Sequence, residues 1–150
     1  MAYAETTKVP FESSIAEIVR LLRKAGADQI GQVEERARFT IQFSMDGRFV
    51  RFRIPFVSAE KIEQVRGPRQ QARDVDEQWR RQRGRALLLV IKAKLESIET
   101  GIETFEQAFL ANVVMANGET VYDRIATPIA DEYRTGAVQP SSTLFLTGPA

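Results

Sequence analysis

Arginine and a single aromatic carry the most suggestive chemistry in this sequence, because the usual catalytic side chains are missing. The 150 residues include 21 Lys plus Arg and 20 Asp plus Glu, but neither His nor Cys. That excludes Ser-His-Asp and Cys-His nucleophile systems, zinc sites built on imidazole or thiolate, disulfides and redox thiols. Carboxylates, Lys, Tyr and Ser remain. Glu34 and Glu35 are adjacent on a predicted strand and so face opposite ways, while Glu96, Glu99, Glu103 and Glu106 are spaced like a solvated helix face. No Asp…Glu-x-Lys nuclease pattern stands on consecutive strands, and no Gly-rich phosphate loop follows a strand. The sequence therefore reads as a non-enzyme with no cofactor and no metal site.

Two arginine groups remain as binding candidates. In the first, Arg36, Arg38, Phe49, Arg51 and Arg53 alternate with apolar residues and point away from the predicted core. Arginines interleaved with an aromatic, Thr40 and Gln42 suit a platform where a phosphate pairs and a base stacks. The alternative is that the arginines pair with Glu34, Glu35 and neighbouring acids to keep an exposed sheet soluble. The second group lies in a charge block. From Arg66 to Lys94 nine basic residues oppose three acids, and from Leu95 to Tyr133 eight acids oppose Arg124 alone. Such blocks steer a charged partner or let chains associate through opposite patches. The alternative here is i,i+3 and i,i+4 pairing with Asp74, Asp76 and Glu77. The residues expected to contact nucleic acid are Arg38, Phe49, Arg51 and Arg53 on the hairpin, and Arg69, Arg73, Arg80 and Arg81 on the loop and helix.

The elements that would position these groups follow from periodicity. Ile15, Ile18, Val19 and Leu22 predict a helix from about Ser14 to Ala25, with Ser14 and Glu17 as a capping box and Gly26 at its end. Ala37, Phe39, Ile41, Phe43 and Met45 share one face of a strand, Asp46-Gly47 turns the chain, and Val50, Phe52 and Ile54 return on the same face. Ile30 to Glu34 would extend the hairpin to a three-stranded meander. A long helix is predicted from about Gln71 to Glu99; at ~1.5 Å per residue it would span roughly 43 Å. Such a helix must bend near Gly84 or project its basic half from the body. One of its stripes, Ala72, Val75, Trp79, Ala86, Val90 and Ala93, runs the whole length. A second, Leu87, Leu88, Ile91, Leu95 and Ile98, exists only after Gly84, so the C-terminal half is expected to be buried on two sides.

Downstream, Glu103 to Leu110 predicts a short helix or turn, Ala111 to Met115 a short strand and Asn117-Gly118 a tight turn; Thr120 and Thr127-Pro128 are helix starts, for one kinked helix or two short ones ending at Gly136. The expected fold is α+β: an N-terminal helix, an antiparallel hairpin or meander, a long helix and short C-terminal helices. Residues 1–136 form a single domain in this reading, and the uncharged tail 137–150 is expected to dock on the body or on a partner through Leu144-Phe145-Leu146. No apolar run approaches the ~20 residues of a membrane span. The N-terminus lacks the apolar core of a secretory signal, so a cytoplasmic protein is expected.

The helix, strand, strand, strand, helix order over about residues 12–95 resembles double-stranded-RNA-binding domains in topology, without that family's Lys-rich motif. A second resemblance covers most of the chain. It is carried by Ala2-Tyr3-Ala4-Glu5-Thr6-Thr7-Lys8-Val9, the hairpin from Met45 to Phe52, the block from Arg85 to Glu96, and Gly101-Ile102-Glu103-Thr104-Phe105-Glu106. Asn117-Gly118-Glu119-Thr120-Val121 and the run from Pro128 to Gly136 add to it. These segments resemble a family of small proteins encoded in prophages and other mobile elements. The resemblance implies a phage or mobile-element context. Together with the arginines it leads to the expectation of a nucleic-acid-binding accessory protein for DNA replication or recombination, assembled as a homo-oligomer. The alternative is an interaction module that inhibits or recruits a host protein.

Overall fold

Strict alternation between Arg38 and Pro55 gives two strands whose odd and even residues meet different surroundings, and the Asp46-Gly47 pair closes them. Both turn residues have positive φ, 51° and 72°, the geometry that matches the right-handed twist of the flanking strands and that Asp-Gly supplies at low cost. The computed structural model of the chain describes residues 4–56 and 69–138. Its elements are α1 (Phe11–Ala25), β1 (Gln29–Glu34), β2 (Arg38–Met45), β3 (Arg48–Pro55), α2 (Arg69–Glu99), α3 (Phe105–Phe109), a 3-10 turn at Leu110–Asn112, and α4 (Val121–Arg134). The strands form an antiparallel sheet in the order β1-β2-β3. The architecture is the expected α+β arrangement with the full meander.

Register explains how the sheet divides core from surface. Phe39 pairs with Ile54, Ile41 with Phe52 and Phe43 with Val50, and all six are buried against α1, α2 and α3. Full burial of such side chains contributes roughly 1.5–3 kcal/mol each relative to exposure. Aromatic rings close the inner face at both ends. Phe11 meets Phe39 and Phe56 edge-on, with centroids 5.1 and 5.5 Å apart; at the other end Phe109 meets Phe43 and Phe52 at 5.6 and 6.2 Å.

The helix α1 begins three residues earlier than Ser14. Pro10 precedes it without any side-chain cap, which overturns the predicted Ser14–Glu17 capping box: Phe11 draws the first turn into the core. Ser14 is fully buried, and its hydroxyl has no hydrogen-bond partner among the described residues. Ser14→Ala is therefore expected to leave stability unchanged or raise it by up to about 1 kcal/mol, because it removes an unsatisfied buried group and favours helix. Denaturant unfolding would check this; a clear loss would show that the hydroxyl is held by a partner.

Gly84 has a role other than bending. α2 runs unbroken through it, and a Cβ added there would lie 2.8 Å from a ring carbon of Phe11 and 3.3 Å from Cβ of Ser14. Gly84 is where α1 and α2 touch. Nor does the basic half of α2 project freely. Gln78 donates to the carbonyls of Glu5 and Thr7, each at 3.0 Å, and Ala4 is buried, so the N-terminal arm runs along this half. Trp79 is half-buried there. A further correction concerns the far half of α2. Leu87, Leu88 and Ile91 are buried, whereas Val90 and Ala93 are exposed; the helix is covered only on the side that meets α1, α3 and the sheet core.

The short helices are capped as their sequences dictate. Thr104 with Gln107 and Thr120 with Asp123 form capping boxes at the starts of α3 and α4. Among the described residues no helix is long and apolar enough to cross a membrane. The predicted docking of Leu144-Phe145-Leu146 lies outside the described residues.

Candidate functional site

The sheet face opposite the helices is open to solvent over most of its area. Three cross-strand rows compose it: Val33, Thr40 and Arg53; Gly31, Gln42 and Arg51; Gln29, Ser44 and Phe49. Period-two alternation puts all nine on this side, since their strand neighbours supply the core. The hairpin candidates Phe49, Arg51 and Arg53 thus stand together, two residues apart and about 7 Å from one to the next. Arg38 lies at the sheet corner opposite Pro55. A hydrogen bond from its Nε to Glu35, and then the charge of that carboxylate, raise its pKa above the ordinary value.

The C-terminal segment builds a wall along one side of this face. Val50 pairs with Val113 as a bridge, and the Val114 N–H donates to the Phe49 carbonyl at 2.8 Å, which occupies the outer edge of β3. Arg51 ties the wall down. Its Nε donates to Gln42 Oε1 at 3.1 Å and its Nη1 to the Gly118 carbonyl at 2.8 Å, while Asn112 donates to the Arg51 carbonyl at 3.0 Å. Between wall and sheet lies a hollow of about 250 Å³ lined by Arg51, Arg53, Ala111, Asn112, Thr120, Tyr122 and Asp123. A second hollow, of about 230 Å³, adjoins Phe49 over β1 and β2.

The wall contributes two side chains that the sequence reading did not single out. Tyr122, 59% exposed, lines the hollow with Arg51 and Arg53, and Phe49, 48% exposed, stands beside Arg51 along β3. The capping signal at Thr120 located the start of α4, but nothing local indicated that this start lies beside β3. Asp123 is the other. Its carboxyl is held below its usual value, first by the backbone N–H and hydroxyl of Thr120 and then by the nearby positive charges of Arg53 and Arg51. An acid here tempers the arginines, so the hollow is polar and mixed in sign.

The comparisons with known proteins come out empty. No protein-family model, curated protein or solved structure matches the chain.

The second arginine group lies on the other side of the sheet. Arg80 stacks 4.1 Å from the Phe56 ring centroid, donates to Glu34 at 3.2 Å and pairs with Asp76 at 3.4 Å. Glu34 is on the helix-facing side of β1, since it pairs with buried Phe39. Arg81 pairs with Glu77 at 2.8 Å, Arg85 with Glu17 at 3.6 Å, and Arg83 lies 4.8 Å from the Trp79 ring. The i,i+4 pairing alternative therefore describes Arg80 and Arg81, with Glu34 of β1 as an added partner of Arg80. Arg69 and Arg73 stand in the first turns of α2, and their side chains lie outside the described residues, as does Arg66. Among the described residues, Arg80, Arg81, Arg83 and Arg85 do not join Arg51 and Arg53 in one surface.

Two of the candidate acids are likewise engaged. Glu106 pairs with Arg48 at 3.1 Å, and Glu103 accepts from the Ser97 hydroxyl at 2.8 Å. Among the described residues no group of three His, Cys, Asp or Glu is placed to hold a metal ion.

Proposed function

We propose that this chain is a non-enzymatic accessory protein of a phage or other mobile element that binds single-stranded nucleic acid on the outer face of its sheet. The observation that carries the reading is the pair of exposed aromatics, Phe49 and Tyr122, close to Arg51 and Arg53 on an open polar sheet face. Unpaired bases stack on such side chains whatever their identity, and arginine meets the phosphates between them. Thr40, Gln42 and Ser44 add hydrogen-bonding groups to the same face. The mobile-element context rests on the sequence resemblance alone.

The roles within the site differ. Arg53 is exposed and is the phosphate-contacting residue in this reading, whereas Arg51 spends its guanidinium on Gln42 and Gly118 and holds the wall. Arg80 ties α2 to Glu34 and Phe56, and Arg81 pairs with Glu77 within α2.

Anisotropy titration of labelled single-stranded DNA and RNA, and of a duplex control, tests the reading. Affinity for the single strands is expected to fall between ~50 and ~200 mM salt. Arg53→Ala should lower the salt slope by about one unit, and Phe49→Ala should cost about 1–3 kcal/mol with little change in slope. Both substitutions sit on the solvent side, where stability changes stay within about 0.5 kcal/mol. Absence of binding at low salt removes the proposal. Parent-like binding by both variants removes this face from it.

A further inference from the structure

Two opposite charges share the hollow beside β3 without meeting. Arg53 and Asp123 both line this space of about 250 Å³, and both are exposed. Arg53 is near enough for its charge to help hold the Asp123 carboxyl below its usual value, yet among the described residues no ion pair joins them. One oxygen of Asp123 is committed to the Thr120 N–H at 3.1 Å, where it closes the α4 capping box. The other has no partner among the described residues. Asn112, whose amide nitrogen donates to the Arg51 carbonyl at 3.0 Å, brings a second oxygen to the same lining. Arg51 turns its Nε and Nη1 to Gln42 and Gly118. A group entering the hollow therefore meets one uncommitted cation, Arg53, and beyond it acceptors.

We infer that this hollow seats one nucleotide, with its phosphate on Arg53 and its base against Asp123, and that it selects bases bearing an exocyclic amino group (adenine, cytosine and guanine) over thymine and uracil. The inference rests on the reading of the sheet face as a single-strand site and adds base choice to it. Charge sets the polarity: a carboxylate repels phosphate, so only the uncharged base approaches Asp123. Hydrogen bonding sets the choice. An ionised carboxylate accepts and cannot donate, so the base edge that meets it must donate. The hydrogen bonds from Thr120 and the two arginine charges keep Asp123 in that ionised form at neutral pH. Adenine, cytosine and guanine offer an amino group there, and a hydrogen bond to a charged acceptor is roughly twice as strong as a neutral one. Thymine and uracil offer a carbonyl at the corresponding place, which sets acceptor against acceptor and leaves both unpaired. Stacking on Tyr122 is indifferent to the base, so the preference belongs to Asp123.

Oligo-dC and oligo-dU share sugar, phosphate and ring, and an amino group in one stands where the other has a carbonyl. In anisotropy titrations at neutral pH, oligo-dC should bind roughly tenfold more tightly, with parallel salt dependence because the difference involves no phosphate. Asp123→Asn keeps an oxygen for the Thr120 N–H, but its amide donates as well as accepts, so it should bring the ratio of the two affinities close to one. Losing a negative charge beside the strand strengthens binding of both, which makes the ratio the readout. Asp131→Asn removes the same charge more than two turns further along α4 and should keep the parent ratio. Equal binding of the two strands by the parent overturns the base choice and leaves the sheet face as a strand-binding surface. A parent-like ratio in Asp123→Asn does the same, and so does loss of the ratio in Asp131→Asn, which would make it an effect of charge alone. Binding of neither strand at low salt removes the face and the base choice together.

Discussion

Replacing Phe109 with alanine is expected to destabilise the fold by about 3–5 kcal/mol, the usual cost of emptying a buried aromatic site. Phe109 is fully buried. Its ring meets Phe43, Phe52 and Phe105 at 5.6, 6.2 and 5.2 Å, and the Lys94 ammonium lies 5.7 Å from its centroid. Lys94 also donates to the Ala108 carbonyl at 2.6 Å, so α3 is fastened from two directions and cannot collapse easily into the space. A domain of this size has about 5–15 kcal/mol of stability in all, and the loss should lower the melting temperature by roughly 6–20 °C. The effect should reach the candidate site. α3 leads directly into the segment that walls the outer sheet face, so Phe109→Ala should loosen that wall and raise amide exchange at Val113 and Val114 ahead of β2. Denaturant unfolding with hydrogen exchange measures both; a loss below about 1 kcal/mol would show that the aromatic cluster is not the anchor.

The second large effect is expected at Gly84, where two physical arguments have opposite signs. Glycine in a helix interior costs about 1 kcal/mol relative to alanine, so propensity alone makes Gly84→Ala stabilising. Packing at the α1–α2 crossing says otherwise, because the added methyl would sit 2.8 Å from the Phe11 ring and 3.3 Å from Ser14 Cβ. Phe11 is itself held between Phe39 and Phe56, so yielding there disturbs the inner face of the sheet. Overpacking typically costs about 1–3 kcal/mol and more for larger side chains. Gly84→Ala should therefore be destabilising by about 1–2 kcal/mol net, and Gly84→Leu by more than about 3 kcal/mol. A stabilised alanine variant would mean that α1 can move away from α2 at no cost.

Much of the scaffold was legible because it depends on neighbours in sequence. Alternation from Phe39 to Ile54 assigned both sheet faces and the Asp46-Gly47 turn, while Ala37, expected on the core face, lies exposed just before β2. The capping residues at Thr104 and Thr120 belong to the same local chemistry. The start of α1 was misplaced where a long-range contact, Phe11 against Phe39 and Phe56, outweighed a local capping pattern. Gly84 was misread for the same reason: a lone glycine in a helical pattern looks like a weak point until the partner pressed against it is known. The far half of α2 was expected to be buried on two sides because apolar spacing reports which residues could be covered and not how many neighbours there are to cover them.

The candidate site divides along the same line. Placement of Phe49, Arg51 and Arg53 on one solvent-facing surface was readable from alternation alone. Tyr122 and Asp123 join them only because a bridge between Val50 and Val113 carries residues some seventy positions away onto the edge of β3. The fate of the arginines was settled in three dimensions too. Arg53 stays exposed, Arg51 becomes a clamp on Gly118, and Arg80 is drawn between Phe56, Glu34 and Asp76. The sequence by itself determined the kinds of element, their faces and the absence of thiol and imidazole chemistry, since these follow from backbone periodicity and composition. Only the tertiary structure decided which charges are neutralised and which aromatics gather, because a side chain's partners are set by the packing of segments far apart in the chain, and pairing energies fall off within a few ångströms.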